Sequence, residues 1–271
     1  MKIFYSKKKL VKELNGNPNI EFVPTMGSLH RGHLSLIKKA KNNLNKTLVS
    51  IFINPKQFEK KNDYRKYPKN IKADIKLLKK SKIDYLYIPN YEDIYAFKIK
   101  NKIHLDLFAN KLCGKFRPGH FKGVVNVVNR FIEIINPKSI YLGIKDYQQL
   151  ILITEHIRKN KLKTKIIACK TIRIKNGVAL SSRNKLLNKK NIIIASNVYR
   201  YLKKNKKQIK ESKNSTNINK FLLDLMGFGV KKIDYLECIN LYKFLKPKIK
   251  KKKFNIFIAY YLDDVRLIDN L

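Results

Sequence analysis

Short apolar runs alternate with amphipathic stretches through the first two-thirds of the chain. Runs at 20–23, 47–53, 84–88, 139–142 and 165–169 carry β-branched and aromatic residues and read as strands. Between them, apolar positions recur three and four apart at 34–44, 71–80, 123–135 and 146–158, the period of helices that bury one face. Leu34, Ile37 and Leu44 mark the stripe of the first helix. Leu150, Ile153 and Ile157 mark that of the last, with Asp146 as its expected N-cap. Residues 89–119 keep no steady period and are expected to hold an insertion or a mobile loop.

Past Thr171 the pattern changes. Helices are expected at 191–204 and 218–226, with a polar loop at 210–217 between them, and strand-like alternation returns at 232–239, 254–262 and 265–268. The expected architecture is α/β, a Rossmann-like doubly wound parallel sheet with a smaller α+β part at the C-terminal end. The natural division is a nucleotide-binding, catalytic domain over 1–172 and a lid domain over 173–271. No internal repeat is visible.

A chain of 271 residues that is 44% hydrophobic can bury a sizeable core, so general disorder is not expected. No apolar run reaches the ~18 residues of a membrane span, and Met1 to Lys9 has no signal-peptide character. Cys113, Cys169 and Cys238 are odd in number and far apart, which indicates neither a zinc site nor a disulfide framework. A soluble, cytoplasmic protein is the expectation. The net charge of +42 raises a nucleic-acid partner as an alternative. Only nine of the 61 basic residues are arginine, however, and lysine is spread along the whole chain. Base or phosphate recognition favours arginine forks beside stacking aromatics. The lysine load therefore reads as drift in an AT-rich genome that permits nonspecific RNA adhesion, with the run from Lys246 to Lys253 a solvated loop.

Five segments carry candidate chemistry. Pro24 to His33 (PTMGSLHRGH) runs from a strand into a helix start, where free N–H groups and a partial positive charge suit a phosphate chain. His30 and His33 could there donate to phosphate oxygens as charge develops. Asn54 and Gln57, in NPKQF, lie past a strand end and offer neutral hydrogen bonding for hydroxyls or a carboxylate. Gly114 to Gly123 (GKFRPGHFKG) brackets Arg117 and His120 with glycines, as an anion-binding loop would. Gly143 to Gln149 (GIKDYQQ) puts Lys145 after a strand, as a point charge for phosphate. Leu180 to Asn184 (LSSRN) could close two hydroxyls and an arginine over a polyphosphate. Singly, each admits a plain structural explanation as a cap, an Asn-Pro turn, a surface turn or a helix entry.

Taken together, in this order and spacing, the segments resemble the pantothenate synthetases, or pantoate–β-alanine ligases, of the His-x-Gly-His nucleotidyltransferase superfamily. The resemblance is strong from Glu21 to Leu187 and weaker through Val230 to Cys238 and the C-terminus. It implies that ATP and pantoate give pantoyl adenylate and pyrophosphate, with Mg²⁺ carried on the phosphates rather than held by a protein metal site. The amine of β-alanine then displaces AMP to give pantothenate.

Residue by residue, the resemblance implies that Met26, Gly27, Ser28, Leu29, His30, Arg31, Gly32 and His33 line the ATP site, with His33 the catalytic acid and His30 beside it. Gly143, Ile144, Lys145 and Asp146 would hold the nucleotide, Lys145 neutralising charge at the reacting phosphate. Ile172 would meet the adenine through its backbone, and Leu180, Ser181, Ser182 and Arg183 would close over the phosphates. Gln57 would bind pantoate and border β-alanine, Gln149 and Asn54 would bind pantoate, and Tyr67, Arg117 and His120 would support them. A homodimer is implied, with small-molecule substrates, no specific nucleic acid and no membrane. Two positions depart from the family pattern. Cys113 stands where glutamate is usual, and Lys69 where arginine commonly follows Tyr-Pro. The rival readings are another His-x-Gly-His nucleotidyltransferase and a basic nucleic-acid-binding protein on an α/β scaffold.

Overall fold

The computed structural model describes residues 1–271 except 18, 43, 60, 213, 214 and 242–253, and only the backbone of 215–217. The lysine run at 246–253 therefore lies outside the described residues. Six parallel strands form the main sheet: β1 (Lys2–Phe4), β2 (Ile20–Thr25), β3 (Lys46–Ile51), β4 (Tyr85–Tyr87), β5 (Ser139–Gly143) and β6 (Lys165–Cys169). Their order across the sheet is β1-β4-β3-β2-β5-β6. Successive strands thus step one way from β2 to β3 and the other way from β2 to β5, and the crevice beyond the carboxyl ends of β2 and β5 is the switch point of a doubly wound sheet.

Both faces of this sheet are covered, so its central strands carry short apolar runs, such as Leu48 and Val49 or Ile140, Tyr141 and Leu142, rather than a strict alternation. On β2, Ile20 and Phe22 enter the core shared with α1 (Lys7–Leu14), α7 (His120–Ile135) and α8 (Tyr147–Lys159). Val23, of opposite pleat, enters the core made with α2 (Arg31–Lys41) and α4 (Ile71–Lys80). The short helices α3 (Lys61–Lys66), α5 (Tyr91–Tyr95) and α6 (Cys113–Phe116) lie in the connections.

Beyond β6, the helices α9 (Lys189–Lys204), α10 (Lys206–Glu211) and α11 (Ser215–Gly227) precede an antiparallel sheet, β7 (Lys232–Asn240), β8 (Phe254–Leu262) and β9 (Val265–Asn270). On β8, Ile256, Ile258 and Tyr260 pack toward α9 and α11, while Phe257 and Ala259 join the core of the main sheet. One strand thus contributes to two cores, and one of those cores draws on residues from both sides of position 172.

Several boundaries differ from the sequence pattern. Helix α2 starts at Arg31 rather than 34 and ends at Lys41, leaving Leu44 fully exposed. The first turn of α2 is set by a side-chain cap, which apolar periodicity does not register. Helix α7 likewise starts at His120, not 123, after Gly119 in the left-handed region. The expected loop at 210–217 is mostly helical, since α10 reaches Glu211 and α11 begins at Ser215. Asp146 stands at the N-cap of α8 but makes no capping bond, its carboxylate being taken by Lys145. Part of the irregular stretch 89–119 is pinned by Gln148. Its amide donates to the carbonyls of Phe108 and Lys111 at 2.7 Å each and accepts from the Cys113 N–H at 3.1 Å.

Candidate active site

The loop after β2 is shaped by a buried carboxylate. Asp74, on α4, accepts from the N–H groups of Ser28 at 2.7 Å and Leu29 at 2.8 Å. Gly27 has φ +75°, and a Cβ there would stand 3.0 Å from the Asp74 carboxylate and 3.1 Å from Ile51, so the turn requires glycine. This brings His30 to the N-cap of α2. Its Nδ1 accepts from the Gly32 N–H at 3.1 Å, and Nδ1 of His33 accepts from the His30 N–H at 3.3 Å. The two rings close a reciprocal capping box with centroids 4.1 Å apart. An accepting Nδ1 puts the proton of a neutral imidazole on Nε2. Among the described residues, neither Nε2 has a protein partner.

Burial and the nearby Lys145 and Lys185 ammonium groups lower His30 to about 4. Burial, then His30 and the same lysines, lower His33 to about 3. At neutral pH both rings are therefore uncharged Nε2–H donors.

A second wall is built on the turn after β3. Asn54 is buried, and its amide is fully engaged. It accepts from Tyr95 Oη at 2.8 Å and the Lys56 N–H at 3.2 Å, and donates to the Gly123 carbonyl at 3.2 Å and Gln57 Oε1 at 3.3 Å. Gln57 Nε2 donates to Met26 Sδ at 2.7 Å. A Cβ on Gly123 would fall 2.2 Å from the Lys56 carbonyl, so α7 approaches this turn only through glycine. The Gln57 carbonyl accepts from His120 Nδ1 at 2.7 Å and from Arg117 at 3.2 Å, and His120 Nε2 accepts from Arg117 at 3.2 Å. Burial and the Arg117 cation lower His120 to about 3. Both of its nitrogens are committed within the protein.

The third wall follows β5. Lys145 sits in the turn Ile144–Asp146 and pairs with Asp146 at 3.0 Å. Asn270, on β9, donates to the carbonyls of Ile144 at 3.0 Å and Lys145 at 2.8 Å. The side chain of Gln149, on α8, makes no hydrogen bond among the described residues. Opposite, the Leu180 N–H donates to the Ile172 carbonyl at 2.9 Å, and Ser182 Oγ donates to the Ser28 carbonyl at 3.0 Å. Ser181 caps the turn Ser182–Leu186 by accepting from the Arg183 N–H at 3.3 Å. Arg183 pairs with both carboxylate oxygens of Asp63, at 2.7 and 3.0 Å, and so reaches from the C-terminal part to α3.

These walls enclose a cavity of about 320 Å³ beyond the ends of β2 and β5. Met26, His30, Gly32 and His33 line it, as do Gly143, Lys145, Asp146, Ile172 and the run from Leu180 to Arg183. Asn54, Gln57, Tyr67, Arg117, His120 and Gln149 line it as well. Gly27, Ser28, Leu29, Arg31 and Ile144 do not line it. Gly27 and Ser28 border a second cavity behind the loop, Leu29 is buried in the core and Arg31 is exposed.

Sequence reasoning missed Asp74, Lys185, Tyr235, Arg266 and Asn270. Lys185 Nζ donates to Ser28 Oγ at 3.0 Å. Tyr235 Oη lies 3.0 Å from Cys113 Sγ, and Arg266 reaches that sulfur at 3.6 Å while pairing with Asp234 at 2.8 Å. The Cys113 departure did flag this corner, because Arg266 Nη2 is left buried without a hydrogen-bond partner. Nothing local marks Asp74 or Asn270. Their partners are 45 to 126 residues away.

The family model described as pantoate-beta-alanine ligase matches residues 2–271. A pantothenate synthetase of Francisella tularensis subsp. mediasiatica is 39% identical over 275 residues, covering 100% of this chain and 94% of that protein. One from Pseudothermotoga lettingae is 38% identical over 274 residues, covering 97% and 94%. The crystal structure of the F. tularensis pantoate-beta-alanine ligase, complexed with beta-gamma ATP and beta-alanine, aligns with TM-score 0.84 at 40% identity, over 100% of this chain and 97% of that one. That of pantothenate synthetase from Thermus thermophilus aligns with TM-score 0.88 at 30% identity, over 100% and 99%. Matched along its full length in sequence and in fold, the chain belongs to the pantoate–β-alanine ligase family of enzymes.

Proposed function

We propose that this chain joins pantoate to β-alanine at the expense of ATP, through a pantoyl adenylate, releasing pyrophosphate and then AMP. One observation carries the reading. A single cavity is lined by two neutral imidazole donors, by Lys145, and by the amide side chains of Gln57 and Gln149. In the first step a carboxylate oxygen of pantoate attacks the α-phosphorus while the bond to the β-phosphate oxygen breaks. Such a transfer needs in-line placement and stabilisation of phosphoryl charge more than covalent help from the protein.

His30 and His33 donate from Nε2 to the phosphates, and Lys145 neutralises charge at the reacting group. The polyanion raises the proton affinity of His33; a proton taken up at Nδ1, in place of the bond from the His30 N–H, makes the ring an imidazolium that passes its Nε2 proton to departing pyrophosphate. Leu180 to Arg183 close over the phosphates, with Ile172 and Leu180 bordering the adenine. Residues 173–271 act as the lid part. Gln57 and Gln149 hold the pantoate hydroxyls and carboxylate without adding charge. Asn54, Arg117 and His120 hold Gln57 in place and reach the substrate through it.

In the second step the uncharged amine of β-alanine attacks the acyl carbon, the bond to the AMP oxygen breaks so that AMP leaves as its phosphate anion, and the proton shed by the amine passes to solvent water. Mg²⁺ enters as the counter-ion of the nucleotide and supplies charge neutralisation there. Asp146 is the carboxylate on the Lys145 wall, and among the described residues no group of three His, Cys, Asp or Glu could hold an ion alone.

The test is AMP release from ATP with pantoate and β-alanine supplied together and singly. AMP formation should require both, and AMP formed without pantoate would refute the reading. The homodimer that the resemblance implies is checked by sedimentation.

A further inference from the structure

Lys145 stands on a single 3-10 turn, Ile144–Asp146, between the end of β5 and the start of α8. What holds the turn comes from the far end of the chain. The Asn270 side-chain amide donates both its hydrogens, one to the Ile144 carbonyl at 3.0 Å and one to the Lys145 carbonyl at 2.8 Å. Asn270 is itself fixed. Only 8% of its surface is exposed, its N–H donates to Asp269 Oδ1 at 2.8 Å, and its carbonyl accepts from Arg173 at 3.2 Å. Arg173 forks onto both oxygens of Asp269 at 2.6 and 2.8 Å and also donates to the Gly177 carbonyl at 3.0 Å. The residue before it, Ile172, and Leu180 form the wall opposite Lys145. The Asp269–Asn270 pair thus ties the two sides of the nucleotide half of the cavity to one strand end.

We propose that Asn270 is a positioning residue for the adenylation step, setting the height of Lys145 relative to the wall at 172–180. This rests on the role proposed above for Lys145. The short, neutral amide of Asn270 supplies two hydrogens to adjacent carbonyls. Aspartate has nearly the same shape but would set carboxylate oxygens against carbonyl oxygens, and alanine would leave both carbonyls unpaired. A displacement of about 1 Å at a reacting centre costs about a hundredfold in rate.

The test is a double-mutant cycle read by single-turnover adenylation of pantoate at saturating ATP. Asn270→Ala should lower the rate about 10- to 100-fold, and Asn270→Asp at least as much. The KM for β-alanine should stay near that of the unmodified protein. In a Lys145→Ala background, either substitution should cost less than about threefold more, because the group it positions is gone. Equal losses in both backgrounds would overturn the proposal in favour of a merely structural role. So would unchanged adenylation by Asn270→Ala, or loss of the folded state in both variants as judged by thermal melting. Failure of the Lys145 reading looks different, since Lys145→Ala alone would then adenylate normally.

Discussion

Two histidine motifs border the same cavity and are used in opposite ways. His30 and His33 give their Nδ1 atoms to the first turn of α2 and keep Nε2 for the cavity. His120, in the Arg-Pro-Gly-His segment, gives Nδ1 to the Gln57 carbonyl and Nε2 to Arg117, and keeps nothing. Burial lowers all three rings to about 3 or 4, so charge does not separate them. Hydrogen-bond accounting does. A histidine with both nitrogens engaged by protein can orient a neighbour, and one with a free Nε2–H can meet a ligand.

The largest effect expected from this contrast is at His33. His33→Ala should cut single-turnover adenylation by about 10²–10⁴-fold, the usual worth of a general acid. Stability, followed by thermal melting, should fall only by the worth of a helix cap, about 1 kcal/mol. Lys145→Ala should lose a similar factor in adenylation. Near-normal turnover in either variant would remove that residue from the chemistry. His120→Ala should lose about tenfold, as an increase in the KM for pantoate, because the displaced group is Gln57. A loss at His120 as deep as that at His33 would break the comparison and place His120 against the substrate.

The same rings set the pH behaviour. With His30 near 4 and His33 near 3, both stay neutral well into the acid range. The kcat/KM for ATP should therefore show no inflection near the ordinary histidine value of about 6.5. An inflection there would mean that at least one ring is solvated and unperturbed. Stability should move in the opposite sense. Below about 6.5 the unfolded chain takes up protons that the folded rings refuse, so stability is full above that pH. It should fall as pH drops from about 6.5 toward 4, the folded value for His30 and His156, with His33 and His120 adding to the loss down to about 3. Urea unfolding at a series of pH values measures this directly.

The smallest expected effect concerns Arg183. Its guanidinium is paired with Asp63, so meeting phosphate requires exchanging one anion for another. Asp63→Asn should release it and lower the KM for ATP a few-fold, with kcat little changed. A raised KM would mean that the pair holds the 182–186 turn in its binding position.

Much of the fold could be read from apolar periodicity, because strands buried on both faces and helices buried on one obey different periods. Strands β2 to β6, helices α2, α4, α7, α8, α9 and α11, and the three strands near the C-terminus fall where the pattern puts them, within a few residues. The short elements β1, α1, α3, α5, α6 and α10, none longer than eight residues, escaped notice, being too short to show a clear period. The lengths of α2 and α7 were set by caps at His30 and Gly119, which no apolar pattern records. At the site, the five motifs contain about half of the lining residues. They could not say that the Asn54 amide is wholly committed inside the protein while Gln149 is free.

The order and spacing of the motifs along the chain determined, without coordinates, the family and the chemistry to expect. Those features are local, and a phosphate-binding turn or an amide after a strand is written in a few adjacent residues. Tertiary structure alone decided which atoms are available to that chemistry. Asp74 holds the histidine loop from 46 residues away, and Asn270 holds the lysine turn from 125 residues away. Each bond depends on one side chain meeting a backbone group whose position exists only once the chain has folded, and no local period encodes such a meeting.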